Sequence, residues 1–258
     1  MDGAYFRRRG DAFEATELTR GPWNPAHQHG GPPAALLGRA IAARAGEDAF
    51  VCRLHVDLLR PVPIATLRVE VETRREGRAV RRYRATLLDA ERTPLAVATG
   101  LALARFPVTL TALPGSGAPF PTPDESAPFA LPFFGEEIAY HTSVEIRRAA
   151  GVWGEGDFTA WMRVRCAVVE GEAPTPLERV LVVADAGSGI GARFDADGHT
   201  FINADLDVAL SRPLAGEWVG MHARTDANAD GTGLADTELS DPRGRFGRGT
   251  QVLVVRPR

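Results

Sequence analysis

Residues 29–45 read HGGPPAALLGRAIAARA, from His29 to Ala45. Two glycines and two prolines open the stretch, and Ala, Leu and Ile fill most of the rest. Proline in a first helical turn gives up no hydrogen bond, because the N–H it lacks would have had no intrahelical partner, so the stretch reads as a helix start. Charge is nearly absent, and a helix without a polar face is expected to be buried. Alternating stretches follow: CRLHVDLL (Cys52–Leu59), LRVEVETR (Leu67–Arg74), VRRYRATLL (Val80–Leu88) and the run from Leu95 to Phe106. Apolar residues at every second position put one face on a core and the other in water, which is the pattern of half-buried antiparallel strands. The first part of the chain thus predicts one long helix followed by a meander of strands.

The same order recurs farther on. From Pro107 to Pro132 the chain is rich in Pro, Gly and Ser (LTALPGSGAPFPTPDESAPFALP), the composition of a linker without its own core. Beyond it, strands are expected at Tyr140–Arg147 and Phe158–Val168. A helix then opens at Pro174-Thr175-Pro176 and runs through Leu181 to about Arg193. Further strands are expected at Phe201–Leu210, Trp218–Thr225, Gly233–Leu239 and Gly249–Val255. Two landmarks keep one offset: Arg60-Pro61 and Arg212-Pro213 (212 − 60 = 152), and the turn residues Asp89 and Asp241 (241 − 89 = 152). Leu59 and Leu88 do not keep it, since Ser211 and Ser240 stand at the matching places. Arg-Pro and a strand-turn Asp are common, so the repeated order of elements supports a duplication as much as the landmarks do. The expected class is α+β in the double hot-dog architecture. Two long helices are each wrapped by antiparallel strands, and the strands join edge to edge into one curved sheet with fewer exposed edges. The units would be residues 1–106 and 133–258, with 107–132 between them.

The 258 residues include 30 basic and 33 acidic ones, a formal net charge of -3. A balance so close to neutral leaves no electrostatic footprint for nucleic acid or for an anionic membrane surface. Every basic residue is Arg, which with the Ala and Gly richness reflects a GC-rich genome, so the run Arg7-Arg8-Arg9 carries little meaning of its own. Cys52 and Cys166 lie in strand-like stretches; one disulfide is arithmetically possible, and two buried free thiols in a reducing cytoplasm are the preferred reading. No basic-then-apolar segment resembles a signal peptide, and no run of about 18 apolar residues is long enough to span a bilayer. A cytoplasmic protein without membrane or nucleic-acid partners is expected.

At this point the residues resemble the acyl-CoA thioesterase II-like family of double hot-dog proteins. In the first half the resemblance rests on His29-Gly30-Gly31, on Leu54-His55 in a strand that ends in Arg60-Pro61, and on Arg75-Glu76-Gly77-Arg78 between two strands. In the second half it rests on Val183-Ala184-Asp185, Asp205, Arg212-Pro213, Glu217-Trp218 and Thr250-Gln251. The resemblance covers nearly the whole chain and implies a hydrolase of acyl-CoA in fatty acid metabolism that uses no cofactor and forms a homo-oligomer, a dimer or tetramer. It also implies a catalytic Asp on the second helix, a Thr on the following strand and a Gln on the last strand. These positions fall on Asp185, Asn203 and Gln251. Asn203 departs from the family's Thr, although Asn offers a donor and an acceptor at nearly the same reach.

Thioester hydrolysis needs a held water, an acceptor for its proton and donors for the oxyanion. Asp185 sits in the apolar run LERVLVVADAGSGIG. As a general base it would have its pKa raised by desolvation; the plainer reading is a cap on Gly187-Ser188-Gly189. Gln251 is expected to hold the water through its amide, or to be an ordinary exposed strand residue. His29, Gly30 and Gly31 suit a substrate site, since glycines admit close approach to backbone N–H groups at the positive end of a helix. His29 and His55 would add donors; otherwise they are a helix cap and a satisfied core histidine. Gly31 with nearby donors would receive the oxyanion, and the donors of the intact site would come from either helix.

Other motifs are weaker. Pro22-Trp23-Asn24-Pro25-Ala26-His27 resembles the Asp-x-Asn-Pro-x-His segment of hot-dog enoyl hydratases, but Pro22 replaces the essential Asp. Asp226 to Gly231 has calcium-loop flavour and reads better as a strand-connecting turn, because Thr237 stands where a bidentate Glu is needed. Gly187-Ser188-Gly189-Ile190-Gly191 lacks the setting of a nucleotide loop, and no His/Cys cluster has zinc spacing. The rival to hydrolysis is a non-catalytic acyl-CoA or acyl-chain binding protein with the same fold, which the Asn203 departure favours.

Overall fold

The computed structural model describes residues 3–109, 117–193 and 198–257. The expected helix at His29–Ala45 is α1 (Gly31–Ala45), and its first two turns are buried on every side. Before it run two strands not anticipated from sequence, β1 (Ala4–Arg9) and β2 (Ala12–Ala15). After it come β3 (Ala49–Leu58), β4 (Thr66–Glu76), β5 (Val80–Leu88) and β6 (Pro94–Ala104), where the alternating stretches predict them.

Part of the expected linker carries structure. A one-turn helix at Pro123–Glu125 is held by a capping box between Thr122 and Glu125, and β7 (Ala127–Phe129) pairs with the strand that follows. Residues 110–116 of that stretch lie outside the described residues. Next come β8 (Val144–Gly151), β9 (Asp157–Val164) and β10 (Ala167–Val169). The second helix opens where predicted, with Pro176 in its first turn and Thr175 and Glu178 closing a capping box. It does not run to Arg193. It stops as α2 (Pro176–Ala184), breaks at Asp185 and Ala186, and resumes as the single turn α3 (Gly187–Ile190). Among the described residues only α1 is a long helix. The chain closes with β11 (His199–Asn203), β12 (Asp205–Leu210), β13 (Trp218–Ala227), β14 (Thr232–Asp241) and β15 (Gly244–Pro257).

All strands belong to one sheet in the order β10-β1-β2-β4-β5-β6-β3-β12-β15-β14-β13-β9-β8-β7, with β11 pairing β15. Every pairing is antiparallel except β1 with β10. The early and late strands meet at β3 and β12, where Val56 faces Leu206 and Leu54 faces Val208. Although β10 directly follows β9 in the chain, it pairs with β1 at the far end of the order. The sheet therefore curls around the helices, bringing its two ends together.

Inside the curl α1 packs on α2 at close range. A Cβ on Gly31 would sit 2.2 Å from the carbonyl oxygen of Val182, so only glycine admits this crossing. The core between helices and sheet includes Leu36, Leu37, Ile41, Leu54, Val56, Leu181 and Val182, each at most 1% exposed. Cys52 and Cys166 are both free thiols, but only Cys166 is buried; Cys52 is half-buried, contrary to the expectation of two buried thiols. Residues 228–231 form the turn between β13 and β14, with Asp230 accepting from Thr232. Among the described residues no helix is long and apolar enough to cross a membrane.

Candidate active site

The break between α2 and α3 turns Asp185 toward the start of α1. Its carboxylate is buried, and a Cβ on Gly30 would lie 2.8 Å from both oxygens. Oδ2 lies 2.9 Å from His29 Nδ1, and Oδ1 accepts from Asn203 Nδ2 at 2.8 Å. His29 Nδ1 is also 3.2 Å from the Gly31 N–H. That nitrogen cannot donate to the carboxylate and accept from Gly31 at once. The shorter contact is that of a protonated Nδ1, which leaves the Gly31 N–H to the carboxylate. Burial in the apolar run pushes the Asp185 carboxyl up, as expected from sequence. The charge of His29 and the bonds from His29, Asn203 and Gly31 outweigh it, so the pKa lies below the ordinary value, not above it. The expected direction was wrong because the donors come from elements distant in sequence.

Gln251, buried on β15, spans the helix break. Its Nε2 donates to the Asp185 carbonyl oxygen at 2.9 Å, and its Oε1 accepts from the Ser188 N–H at 2.9 Å. The α2 C-terminus and the α3 N-terminus each leave backbone groups without helical partners, and this amide satisfies one of each. Its Nε2 stands 3.5 Å from Asp185 Oδ1, at the outer limit of a hydrogen bond. Asn203 is the last residue of β11, and its second amide hydrogen goes to the Asp205 carbonyl at 3.0 Å.

Beside them His29 lies flat on Tyr140, with ring centroids 3.7 Å apart and planes parallel. The Tyr140 hydroxyl donates to the Val182 carbonyl at 3.0 Å, which fixes the plane against which His29 rests. The sequence pattern starts a strand at Tyr140, but the residue stands in a single helical turn before β8, and nothing in its local pattern marks it as a partner of His29.

A cavity of about 320 Å³ opens onto this cluster. His29, Gly30, Asp185 and Asn203 line it, together with Trp23, Phe133, Phe201 and Arg60. Trp23 stacks on Phe133 at 5.7 Å, and Phe201 stands edge-on to both, at 4.9 and 5.6 Å. Trp23 belongs to the hydratase-like segment, which contributes a wall here. An apolar cavity with a few convergent polar groups is the ordinary form of a small-molecule site.

His55 is not part of this cluster. Leu54 and Val56 point into the core, so the alternation of β3 turns His55 to the opposite face of the sheet. There it lies 3.3 Å from Asp57 and 3.4 Å from Asp207. His55 is therefore neither a donor of this site nor a core histidine: it is paired with carboxylates on the outer face. Among the described residues no cluster of His, Cys, Asp and Glu is arranged to hold a metal ion.

Two family profiles match this chain: the acyl-CoA thioesterase N-terminal domain over residues 19–104 and the acyl-CoA thioesterase C-terminal domain over residues 114–255. No curated protein matches. Among solved structures, a thioesterase candidate from Novosphingobium aromaticivorans is 21% identical over 97% of this chain and 98% of its own, with a TM-score of 0.74. A hot-dog protein of unknown function from Alicyclobacillus acidocaldarius is 14% identical over 97% and 95%, also at 0.74. The acyl-CoA thioesterase II TesB2 of Mycobacterium marinum is 15% identical over 97% and 94%, at 0.68. At these identities the likeness establishes the hot-dog fold.

Proposed function

The chain belongs to the acyl-CoA thioesterase family, and from that membership we propose that it hydrolyses acyl-CoA to a free acid and coenzyme A with a water activated at Asp185. The observation that carries the reading is the buried Asp185 carboxylate, held by donors from the entry of α1 and from β11 and lining an apolar cavity. The fold follows the double form: units 1–106 and 133–258 around the segment 107–132. Two profiles, one for each half of the chain, and the β3–β12 seam support a double form, although the C-terminal profile already begins at residue 114, inside that segment.

The water sits in the cavity against Asp185 Oδ1, and Gln251, whose Nε2 stands 3.5 Å from the same oxygen outside the cavity lining, steadies that oxygen rather than the water. Asn203 anchors the same oxygen, and its free Oδ1 takes the water's other hydrogen. As the water oxygen attacks the thioester carbon, its proton passes to Asp185 and the carbonyl electrons move onto oxygen. Because Gly31 gives its N–H to the carboxylate, and Pro32 and Pro33 have none, the Gly30 N–H at the positive end of α1 receives that oxygen. Collapse breaks the C–S bond, and the coenzyme A thiolate leaves with the proton that Asp185 held. Gln251 acts largely as a positioning residue, since its amide holds the helix break that aims Asp185.

The contact between His29 and Asp185 favours a second reading, in which His29 is the base. With Nδ1 donating to Asp185, its Nε2 keeps a lone pair, and the carboxylate orients the ring. His29→Gln separates the two: it costs at least about a hundredfold in kcat if the imidazole is the base, and clearly less if Asp185 is. Thiol release across a panel of short to long acyl-CoAs supplies the rates; binding without release from any of them would move the reading to the acyl-CoA binding protein.

A further inference from the structure

The two Arg-Pro landmarks are used differently. Arg212 is locked: its guanidinium forms a two-pronged pair with Asp241, donates to the Gly244 carbonyl at 2.9 Å and lies over the Phe246 ring. Asp241 is fully buried and also accepts from the Ala215 and Arg243 N–H groups at 2.8 Å each. This unit ties the end of β12 to the turn between β14 and β15.

At the matching place in the first half the pair is split. Asp89 turns back into its own loop and accepts from the Thr93 N–H at 2.7 Å. Arg60 is exposed, donates once to the Pro94 carbonyl at 3.0 Å, and forms no ion pair among the described residues. It is also the one Arg among the residues lining the cavity that contains Asp185. The arginine at the matching place in the first half thus has no carboxylate partner among the described residues and lies on the rim of the candidate active site.

We infer that Arg60 anchors the phosphate end of the substrate, holding a phosphate of the coenzyme A half while the thioester reaches Asp185. A guanidinium presents paired N–H donors that match a phosphate's oxygens, and the substrate's other end, the acyl chain, carries no anion to compete for it. The inference rests on the thioesterase reading and deepens it by assigning the binding of the leaving group. The same chemistry is offered by coenzyme A itself and by a phosphopantetheine arm, and the substrate series below distinguishes them.

The test compares wild type with Arg60→Ala and Arg60→Lys on three thioesters of one acyl group: acyl-CoA, acyl-phosphopantetheine and acyl-pantetheine, which has no phosphate. A charge-assisted contact of ordinary strength predicts that the preference for acyl-CoA over acyl-pantetheine, in kcat/KM, falls about tenfold in Arg60→Ala. The loss falls on KM, and Arg60→Lys recovers part of it. If acyl-phosphopantetheine loses as much as acyl-CoA, the anchored group is the phosphate next to pantetheine; if only acyl-CoA loses, it is on the nucleotide. An unchanged preference, or an equal loss with acyl-pantetheine, overturns the inference. Calorimetric binding of coenzyme A to wild type and Arg60→Ala reads the anchor without turnover. Equal affinities there refute it even if no thioester is hydrolysed, whereas failed hydrolysis with a tenfold affinity difference removes the reaction and keeps the anchor.

Discussion

Adding one methyl group at Gly30 probes the site without removing any of its functional groups. In Gly30→Ala the new Cβ would lie 2.8 Å from both Asp185 oxygens, where an ordinary contact begins near 3.4 Å. The carboxylate must retreat by the difference, about 0.6 Å, or the start of α1 must yield by as much. The bonds to His29 at 2.9 Å and Asn203 at 2.8 Å then stretch toward the limit of hydrogen bonding. A misplacement of about 1 Å costs up to a hundredfold in rate, so a loss of about ten- to a hundredfold in kcat is expected. Gly30 is only half-buried and its φ is -68°, so Ala fits the backbone there and the melting temperature should move by no more than a few degrees. The assay is continuous thiol release under saturating acyl-CoA, with circular dichroism melting on the same samples. A Gly30→Ala protein with wild-type kcat would show that the carboxylate's position does not govern the chemistry, and the account of the site would fail.

The neighbouring glycine should respond in the opposite sense. Gly31→Ala drives a Cβ against the Val182 backbone carbonyl at 2.2 Å, so the helices must part; overpacking of about 3 kcal/mol lowers the melting temperature by about 6–12 °C, measured by calorimetry. Gln251→Ala leaves the Ser188 N–H and the Asp185 carbonyl without their partner; at about 1–3 kcal/mol each the protein should lose several degrees in thermal melting, and kcat should fall as the helix break relaxes. Burial raises the Glu145 carboxyl, but Arg163, Arg165 and Arg147 outweigh it and hold the carboxyl down at about 2. A carboxyl lowered in the folded state adds stability above its unfolded value and loses it as pH falls toward the folded one. The melting temperatures of wild type and Glu145→Gln should therefore differ at pH 7 and converge between about pH 4.5 and pH 2.

Much of the fold is legible in local pattern, and the site is only partly so. The Pro-Pro start of α1, the Thr-Pro-x-Glu start of α2 and the limits of β5 at Val80 and Leu88 are each set by residues within a turn or a strand. The break after Ala184 is not. Val-Val-Ala-Asp-Ala reads as continuous helix, and the amide that stabilises the interruption arrives from Gln251, 66 residues away. β1 hides in the same way, because the run Arg7-Arg8-Arg9 draws attention from Tyr5 and Phe6, which are fully buried once β10 pairs alongside. Asp185, Asn203 and Gln251 were found through resemblance, and the structure brings them together with His29, Gly30 and Gly31. The ionisation of Asp185 depends on donors from α1's entry and from β11, which no local pattern encodes. His55 is the instructive case: Leu54 and Val56 flank it with apolar residues, so the alternation itself turns it away from the helices, against both sequence readings of it, a site donor and a core histidine.

The central claim, that Asp185 activates the water that cleaves the thioester, is tested most directly by single-turnover hydrolysis of acyl-CoA by wild type and Asp185→Asn. Asn keeps the shape and still accepts through its oxygen, but it takes no proton. The account predicts at least about a hundredfold lower rate in the variant, the scale of a lost general base, with acyl-CoA still bound and the fold intact. Hydrolysis by a folded Asp185→Asn at the wild-type rate would contradict it.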